Sequence, residues 1–200
     1  MSTDPLLIEA PIPLRTERLE LRPFEPGDGQ VLYDAVMETF DQLSEWMSWA
    51  QRYETEGLAY AESTARRFNA AFVLREEFHF AIYSKGSLVG DIGLVRPDWK
   101  IPSVELGYWC RKSAQGCGLM TEAANALTRY AFECLGFKRL VIICDKENCK
   151  SSAIAERLGF DLELAAKGLW CSKPGCMDLR TNCQYVRFDT RGLPPLKVEW

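Results

Sequence analysis

Val104-Glu105-Leu106-Gly107-Tyr108-Trp109, then Ser113-Ala114-Gln115-Gly116-Cys117-Gly118, then Leu119-Met120-Thr121-Glu122-Ala123 is the stretch that decides the architecture. Its first part reads as a strand and its last part opens a helix. Leu119, Ala123, Ala126, Leu127, Tyr130, Ala131 and Cys134 recur at helical spacing from Gly118 to Cys134, and Gly136 closes the run. A strand feeding a glycine loop and then a helix is a unit of layered α/β structure. Two glycines bring the backbone close to a ligand. A helix N-terminus offers unpaired N–H groups and a partial positive charge, so the pair suits a phosphate. A plain strand-to-helix turn explains an isolated Gly-x-Gly as well, and the company it keeps must decide. It is not a Walker loop, because no Gly-Lys-Ser/Thr follows, and Thr121 stands where a dinucleotide fingerprint has its third glycine.

Outward from this stretch, Phe78 to Tyr83 alternates as a strand, Lys85-Gly86-Ser87 is a turn, and Leu88 to Val95 returns as a hairpin. Further upstream, Arg18 to Arg22 reads as a strand broken by Pro26-Gly27-Asp28-Gly29. Short helices are expected at Gly29–Met37 and Leu43–Ala50. A longer one is expected at Glu54–Arg75, with Leu58, Ala61, Ala65, Phe68 and Phe72 on one face. Downstream, Arg139 to Cys144 is a continuous apolar strand, as in a sheet covered on both sides. Asn148 to Leu158 reads as a helix stopped by Gly159, and Phe160–Trp170 and Met177–Phe188 as two last strands. The order predicts an α/β layer structure with a mixed sheet. Residues 1–13 form an extended arm in this reading, 14–189 one domain, and 190–200 a loose tail.

The chain has 200 residues, 47% hydrophobic and 26% charged, with a net charge of −4. That composition is globular. The acidic balance speaks against a general grip on nucleic acid, which needs a basic face, and fits a cationic partner. No basic start followed by an apolar run marks a secretory signal, and no apolar stretch reaches the ~18 residues of a membrane span. The expectation is a cytoplasmic protein with no membrane partner, whose eight cysteines are reduced thiols.

The strand Val104 to Trp109 and the loop Gln115 to Ala123 are joined by Asn148-Cys149-Lys150-Ser151 and by Glu156-Arg157-Leu158-Gly159-Phe160. Leu14-Arg15-Thr16-Glu17-Arg18-Leu19-Glu20-Leu21-Arg22-Pro23-Phe24 and Trp46-Met47-Ser48-Trp49 belong to the same set. Together they resemble the GNAT superfamily of N-acetyltransferases, and within it the Rim-type ribosomal-protein enzymes. The resemblance runs from about Leu14 to Phe188. It implies an α/β (α+β) fold with a mixed, mostly antiparallel central sheet and helices on both faces. It implies acetyl-CoA as co-substrate and a primary amine as acceptor, most of all a protein N-terminal α-amine. A polyamine, amino acid or antibiotic amine is the alternative, and a CoA-binding sensor without catalysis a third reading. A homodimer through exposed helices or the last strands is compatible with it.

Carried over by position, the resemblance implies that the amides of Cys117, Gly118, Leu119 and Met120 cradle the pyrophosphate. Gln115, Gly116 and Thr121 stand beside them. Tyr108, Trp109, Cys110 and Arg111 would run along the pantetheine, which Asn148 would hydrogen-bond, and Ser151 would lie near the thioester sulfur. Two positions depart from the family. Ser113 stands where Gln or Arg is common, and Ala155 where many members place a Tyr that protonates the thiolate. Ser151 or a water is then the acid. Glu105 is the candidate base, with a strand-surface carboxylate in a salt bridge as the plain alternative. A backbone N–H near Trp109 or Cys110 would serve the carbonyl oxygen, with direct transfer and no acyl-enzyme.

Trp46 and Trp49, three apart, share a helix face, and either fill the core or wall the acceptor pocket beside Glu105 and Tyr108. Glu38, Asp41 and Glu45 either draw in a cation or form a solvated face. Cys110 and Cys117 make poor nucleophile candidates without a base beside them. The sole histidine, His79, faces away from Phe78 and Phe80 and reads as a strand-face residue. The spacing of Cys171, Cys176 and Cys183 fits no familiar zinc pattern, and no metal is expected.

Overall fold

Apolar residues repeating every second position build strands, and those repeating every third or fourth build helices. In the computed structural model, which describes residues 4–168 and 179–200, they sort into eight strands and four helices. These are β1 (Leu14–Arg15), β2 (Glu20–Pro23), α1 (Gly29–Trp46), α2 (Ala50–Val73), β3 (Phe78–Ser84), β4 (Ser87–Asp98), β5 (Ser103–Cys110) and α3 (Leu119–Arg129). There follow β6 (Arg139–Asp145), α4 (Cys149–Arg157), β7 (Asp161–Lys167) and β8 (Thr181–Arg187). They make one sheet in the order β1-β2-β3-β4-β5-β6-β8-β7. Every pairing is antiparallel except β5 with β6.

Helices cover both faces, as expected. On one, Phe78, Phe80, Ile92 and Leu106 pack with Ala123 and Leu127 of α3, Ile154 of α4 and Leu158 just past its end. On the other, Ala81, Leu88 and Trp109 pack with Leu32 and Val36 of α1 and Ala61 and Ala65 of α2. Each fully buried Phe or Leu contributes roughly 1.5–3 kcal/mol. Among the described residues, no helix is long and apolar enough to cross a membrane.

The parallel pair has a seam. β5 and β6 are in register only at Ser103, Val104 and Glu105 against Arg139, Leu140 and Val141. Beyond that both strands continue, to Cys110 and to Asp145, without pairing to each other. One backbone edge of each strand is thereby left open in the middle of the sheet.

Four expectations change. The two short helices at 29–37 and 43–50 are one helix to Trp46, because Leu32, Ala35, Val36, Thr39 and Leu43 form a continuous buried stripe. Thr39 hid that stripe, since it is polar, but its hydroxyl donates to the Ala35 carbonyl at 2.8 Å. The longer helix starts earlier, at Ala50, and is broken at Gly57 (φ 64°, ψ −148°), which rotates Leu58 out to 44% exposure. α3 ends at Arg129 and continues as a π-helical turn, Tyr130–Cys134. The last residues are docked rather than loose. Leu193 is buried, Pro194 accepts from Asn125 and Arg129, Glu199 bridges Arg15, and Trp200 meets the Tyr130 ring edge-on at 5.8 Å. β1 is a short edge strand whose free backbone groups invite such a partner. Residues 169, 170, 177 and 178, expected as strand ends, lie outside the described residues.

Candidate active site

A cavity of about 780 Å³ lies between α2 and the β4–β5 floor and reaches through the seam to α4. Its floor is set by register. Asp91 faces Trp109, Gly93 faces Gly107, and Val95 faces Glu105. The glycine pair strips the middle of the floor. A side chain at Gly93 would meet His79 Nδ1 at 2.9 Å, whereas Gly107 has nothing within 4 Å and opens onto free space.

At one end of the seam stands the glycine loop. Gly116 (φ +79°) and Gly118 (φ +75°) adopt the left-handed region that glycine takes without strain. Gly118 is the N-cap of α3 and no side chain caps the helix, so the first-turn amides are left for a ligand. The loop is held from three sides. Glu38 of α1 accepts from the Ser113 amide at 2.8 Å and from Arg111 Nε at 2.5 Å, and Thr39 accepts from the Lys112 amide at 3.0 Å. The Ser113 bonds, with Arg111, lower the Glu38 carboxyl to about 2. Glu38 is thus a brace of the loop and not a lure for cations. Arg111 spends its guanidinium on Glu38. Gln115 spends its amide on Gln42 at 2.8 Å and on the Cys110 carbonyl at 3.1 Å, while accepting from Lys150 at 3.1 Å. Arg18 donates to the Cys117 carbonyl at 2.9 Å and to Glu122 at 2.6 Å. Arg18 escaped sequence reasoning because no local pattern connects residues so far apart. Thr121 and Leu119 are partly buried, and Met120 is buried in the core.

Across the seam, Asn148 caps α4 by accepting from the Ser151 amide at 3.2 Å. Ser151 Oγ donates to the Tyr108 hydroxyl oxygen at 3.2 Å, and Tyr108 donates to the Ser151 carbonyl at 3.0 Å. Burial raises the Tyr108 pKa, so the phenol keeps its proton. Ala155 is fully buried in the core and brings no hydroxyl. Burial pushes the Cys110 and Cys144 thiols up to about 11, which leaves both protonated and unsuited to attack.

Glu105 sits deeper along the floor. It is ion-paired with Arg96, as the plain alternative had it, and it also lines the cavity. Burial raises its pKa, and Arg96 opposes that rise. His79 does face away from Phe78 and Phe80, but α2 covers it. Its ring stacks on Phe68 at 3.7 Å, its Nε2 lies 3.2 Å from Glu77, and its Nδ1 lies 3.4 Å from Asp91. Burial lowers the imidazole pKa, but the two carboxylates outweigh it and bring it to about 9. His79 is therefore charged at neutral pH.

Trp46 and Trp49 do not share a helix face. Trp46 ends α1, Met47 is extended, and Trp49 precedes α2. Both nonetheless wall the cavity, where Trp49 packs on Tyr53 at 5.7 Å and Trp109 at 6.4 Å. Glu76, Glu77, Asp91, Glu105 and Asp145 outnumber Arg67, Arg96 and protonated His79 along the wall, a balance that suits a cationic guest. Among the described residues no group of three metal-ligating side chains occurs. Cys171 and Cys176 lie outside them, and Cys183 is buried opposite Cys144.

The profile of the acetyltransferase (GNAT) domain family matches residues 18–161. The ribosomal-protein-serine acetyltransferase of Escherichia coli (strain K12) is 28% identical over 151 residues, covering 74% of this chain and 82% of that one. Two solved structures share the fold. The microcin C7 self-immunity acetyltransferase MccE, bound to acetyl-CoA and AMP, has a TM-score of 0.80 at 21% identity and covers 86% of this chain and 93% of its own. RimL, the ribosomal L7/L12 α-N-protein acetyltransferase in complex with coenzyme A, has a TM-score of 0.79 at 22% identity, covering 90% and 98%. With a seam in the sheet, uncapped amides at its mouth and a family profile over most of its length, this chain belongs to the GNAT acetyltransferases and is an N-acetyltransferase that takes acetyl-CoA as co-substrate.

Proposed function

We propose that the acceptor is a protein N-terminal α-amine, acetylated by direct transfer within one domain spanning 14–189. The observation that carries this reading is the continuous cavity. It joins the Ser151–Tyr108 hydroxyls at the seam to Glu105 under an aromatic and acidic wall. The relative named for ribosomal-protein-serine acetylation supports it. An α-amine has a pKa near ~7.7–8.0, against ~10.4 for lysine, so a carboxylate of raised pKa is base enough.

The amides of Cys117, Gly118, Leu119 and Met120 receive the pyrophosphate, and Arg18, by holding the Cys117 carbonyl, fixes the loop. The open edge of β5 from Tyr108 to Cys110, and Arg111 just past it, with Asn148 opposite, receive the pantetheine. The amine nitrogen attacks the thioester carbonyl and gives its proton to Glu105. A backbone N–H near Trp109 or Cys110 stabilises the carbonyl oxygen. The C–S bond breaks and the thiolate takes a proton through Ser151, whose hydroxyl takes one from solvent water in the same step. Tyr108, which accepts from Ser151 Oγ and donates to the Ser151 carbonyl, holds that hydroxyl in place from β5.

Replacing Ser151 by Ala is expected to lower kcat by about 10²-fold, and Tyr108→Phe by about tenfold, with little change in KM for acetyl-CoA. Single-turnover acetyl transfer measures both. A loss confined to KM would assign the pair to binding instead. The acceptor is tested by following CoA release with N-terminal peptides, lysine peptides and polyamines side by side. Transfer restricted to lysine side chains or polyamines would overturn the α-amine assignment.

A further inference from the structure

The open part of the seam is crossed at its inner end by Tyr108 with Ser151. A second bridge crosses it at the mouth, where β5 ends at Cys110 and β6 at Asp145. The peptide joining Cys110 to Arg111 turns its N–H to the Val89 carbonyl at 2.8 Å, on the β4 side. A trans peptide holds its C=O and N–H on opposite sides, so the Cys110 carbonyl points into the seam. Gln115 Nε2 donates to that carbonyl at 3.1 Å. Gln115 Oε1 in turn accepts from Lys150 Nζ at 3.1 Å. Lys150 is the second residue of α4, so its side chain reaches from the far side of the seam, over the mouth, to the glycine loop.

Lys150 brings a whole positive charge to that place, and the Gln115 amide it meets is neutral. The guanidiniums beside the loop are placed differently. Arg111 is held by Glu38 and Arg18 by Glu122, and Ser113 stands where the family commonly has Gln or Arg. Lys150 is exposed, and an ammonium has three donors. It can keep Gln115 and still donate to an anion. The amides that open α3 begin two residues beyond Gln115, and no side chain caps them. Such amides and the helix dipole offer only partial charge. A pyrophosphate carries one negative charge on each phosphate, and a full cation at its edge adds what the amides lack.

We infer that Lys150 is a binding residue for the co-substrate, its ammonium pairing with the pyrophosphate of acetyl-CoA from across the seam. This rests on the pyrophosphate lying at the loop amides, as in the proposed function. CoA carries a second anion, its 3′-phosphate, and the test separates the two.

Calorimetry gives the Kd of CoA and of 3′-dephospho-CoA, which keeps the pyrophosphate alone. Lys150→Gln is expected to weaken both ligands by about five- to tenfold, and equally. Lys150→Arg keeps the charge and stays near the wild type. Added salt narrows the gap between wild type and Lys150→Gln, as for any exposed ion pair. Thermal unfolding verifies that each variant is folded. A loss seen with CoA but absent with dephospho-CoA moves Lys150 to the 3′-phosphate and overturns the pyrophosphate assignment. Equal affinities in wild type and Lys150→Gln, or a loss that neither Arg restores nor salt narrows, overturn the charge role and leave the loop reading standing. Arg18→Gln, which releases the Cys117 carbonyl without touching Lys150, is the control for the loop itself. Unchanged CoA affinity in that variant counts against the pyrophosphate at those amides, and against this inference with it.

Discussion

Glu105→Gln is expected to lower kcat/KM for an α-amine acceptor by about 10²–10⁴-fold near neutral pH. Burial holds the Glu105 carboxyl above its ordinary value, so the wild-type rate falls as pH drops through that raised pKa and the base is protonated. The Gln variant cannot take the amine's proton and has no such limb. Its rate instead follows the free amine, which titrates near ~7.7–8.0. The gap between the two enzymes is therefore wide at neutral and mildly acidic pH and narrows once the amine loses its own proton. Profiles of kcat/KM between roughly pH 5 and 9.5 measure it. Parallel profiles for the two enzymes would remove Glu105 as the base and leave it as the partner of Arg96.

Gly90→Ala is expected to destabilise the fold by about 2–3 kcal/mol. A methyl group at Gly90 would lie 2.3 Å from the Trp109 carbonyl oxygen and 3.1 Å from Met120 Cε. Met120 can swing aside, but the carbonyl is main chain on β5, opposite Gly90 in a paired register with Cys110. The strain falls on the β4–β5 pair that forms the cavity floor, so activity drops with stability. Gly116→Ala gives the contrast. It has open space around it, and only its φ of +79° resists a side chain, a cost of about 1–2 kcal/mol. Urea unfolding of both variants separates the two effects, and a Gly90 variant as stable as the wild type would refute the packing argument.

The features legible in the sequence are those whose physics is local. The strand Val104 to Trp109, the glycine loop, and the helix that opens at Asn148 each depend on neighbours within a few residues. They fold as their pattern implies. The features that were missed depend on distant partners. Nothing near Arg18 announces the Cys117 carbonyl, nothing near Glu38 announces the Ser113 amide, and nothing in β3 announces that Phe68 will cover His79. The resemblance sets Tyr108 along the pantetheine and beside the acceptor, but its hydrogen bond to Ser151 needs the two sides of the seam to be seen together. The break at Gly57 was missed for another reason. A glycine inside a helical stripe is tolerated often enough that its presence alone does not mark a turn.

The seam has one more consequence, for hydrogen exchange. Central strands normally hold the slowest-exchanging amides of a domain. Here β5 is bonded to β4 along one edge and, past Glu105, open along the other. Successive amides of an extended strand point to opposite edges. Protection from Leu106 to Cys110 should therefore alternate, slow beside fast, in the middle of the sheet, and a ligand lying in the seam would slow the fast set alone.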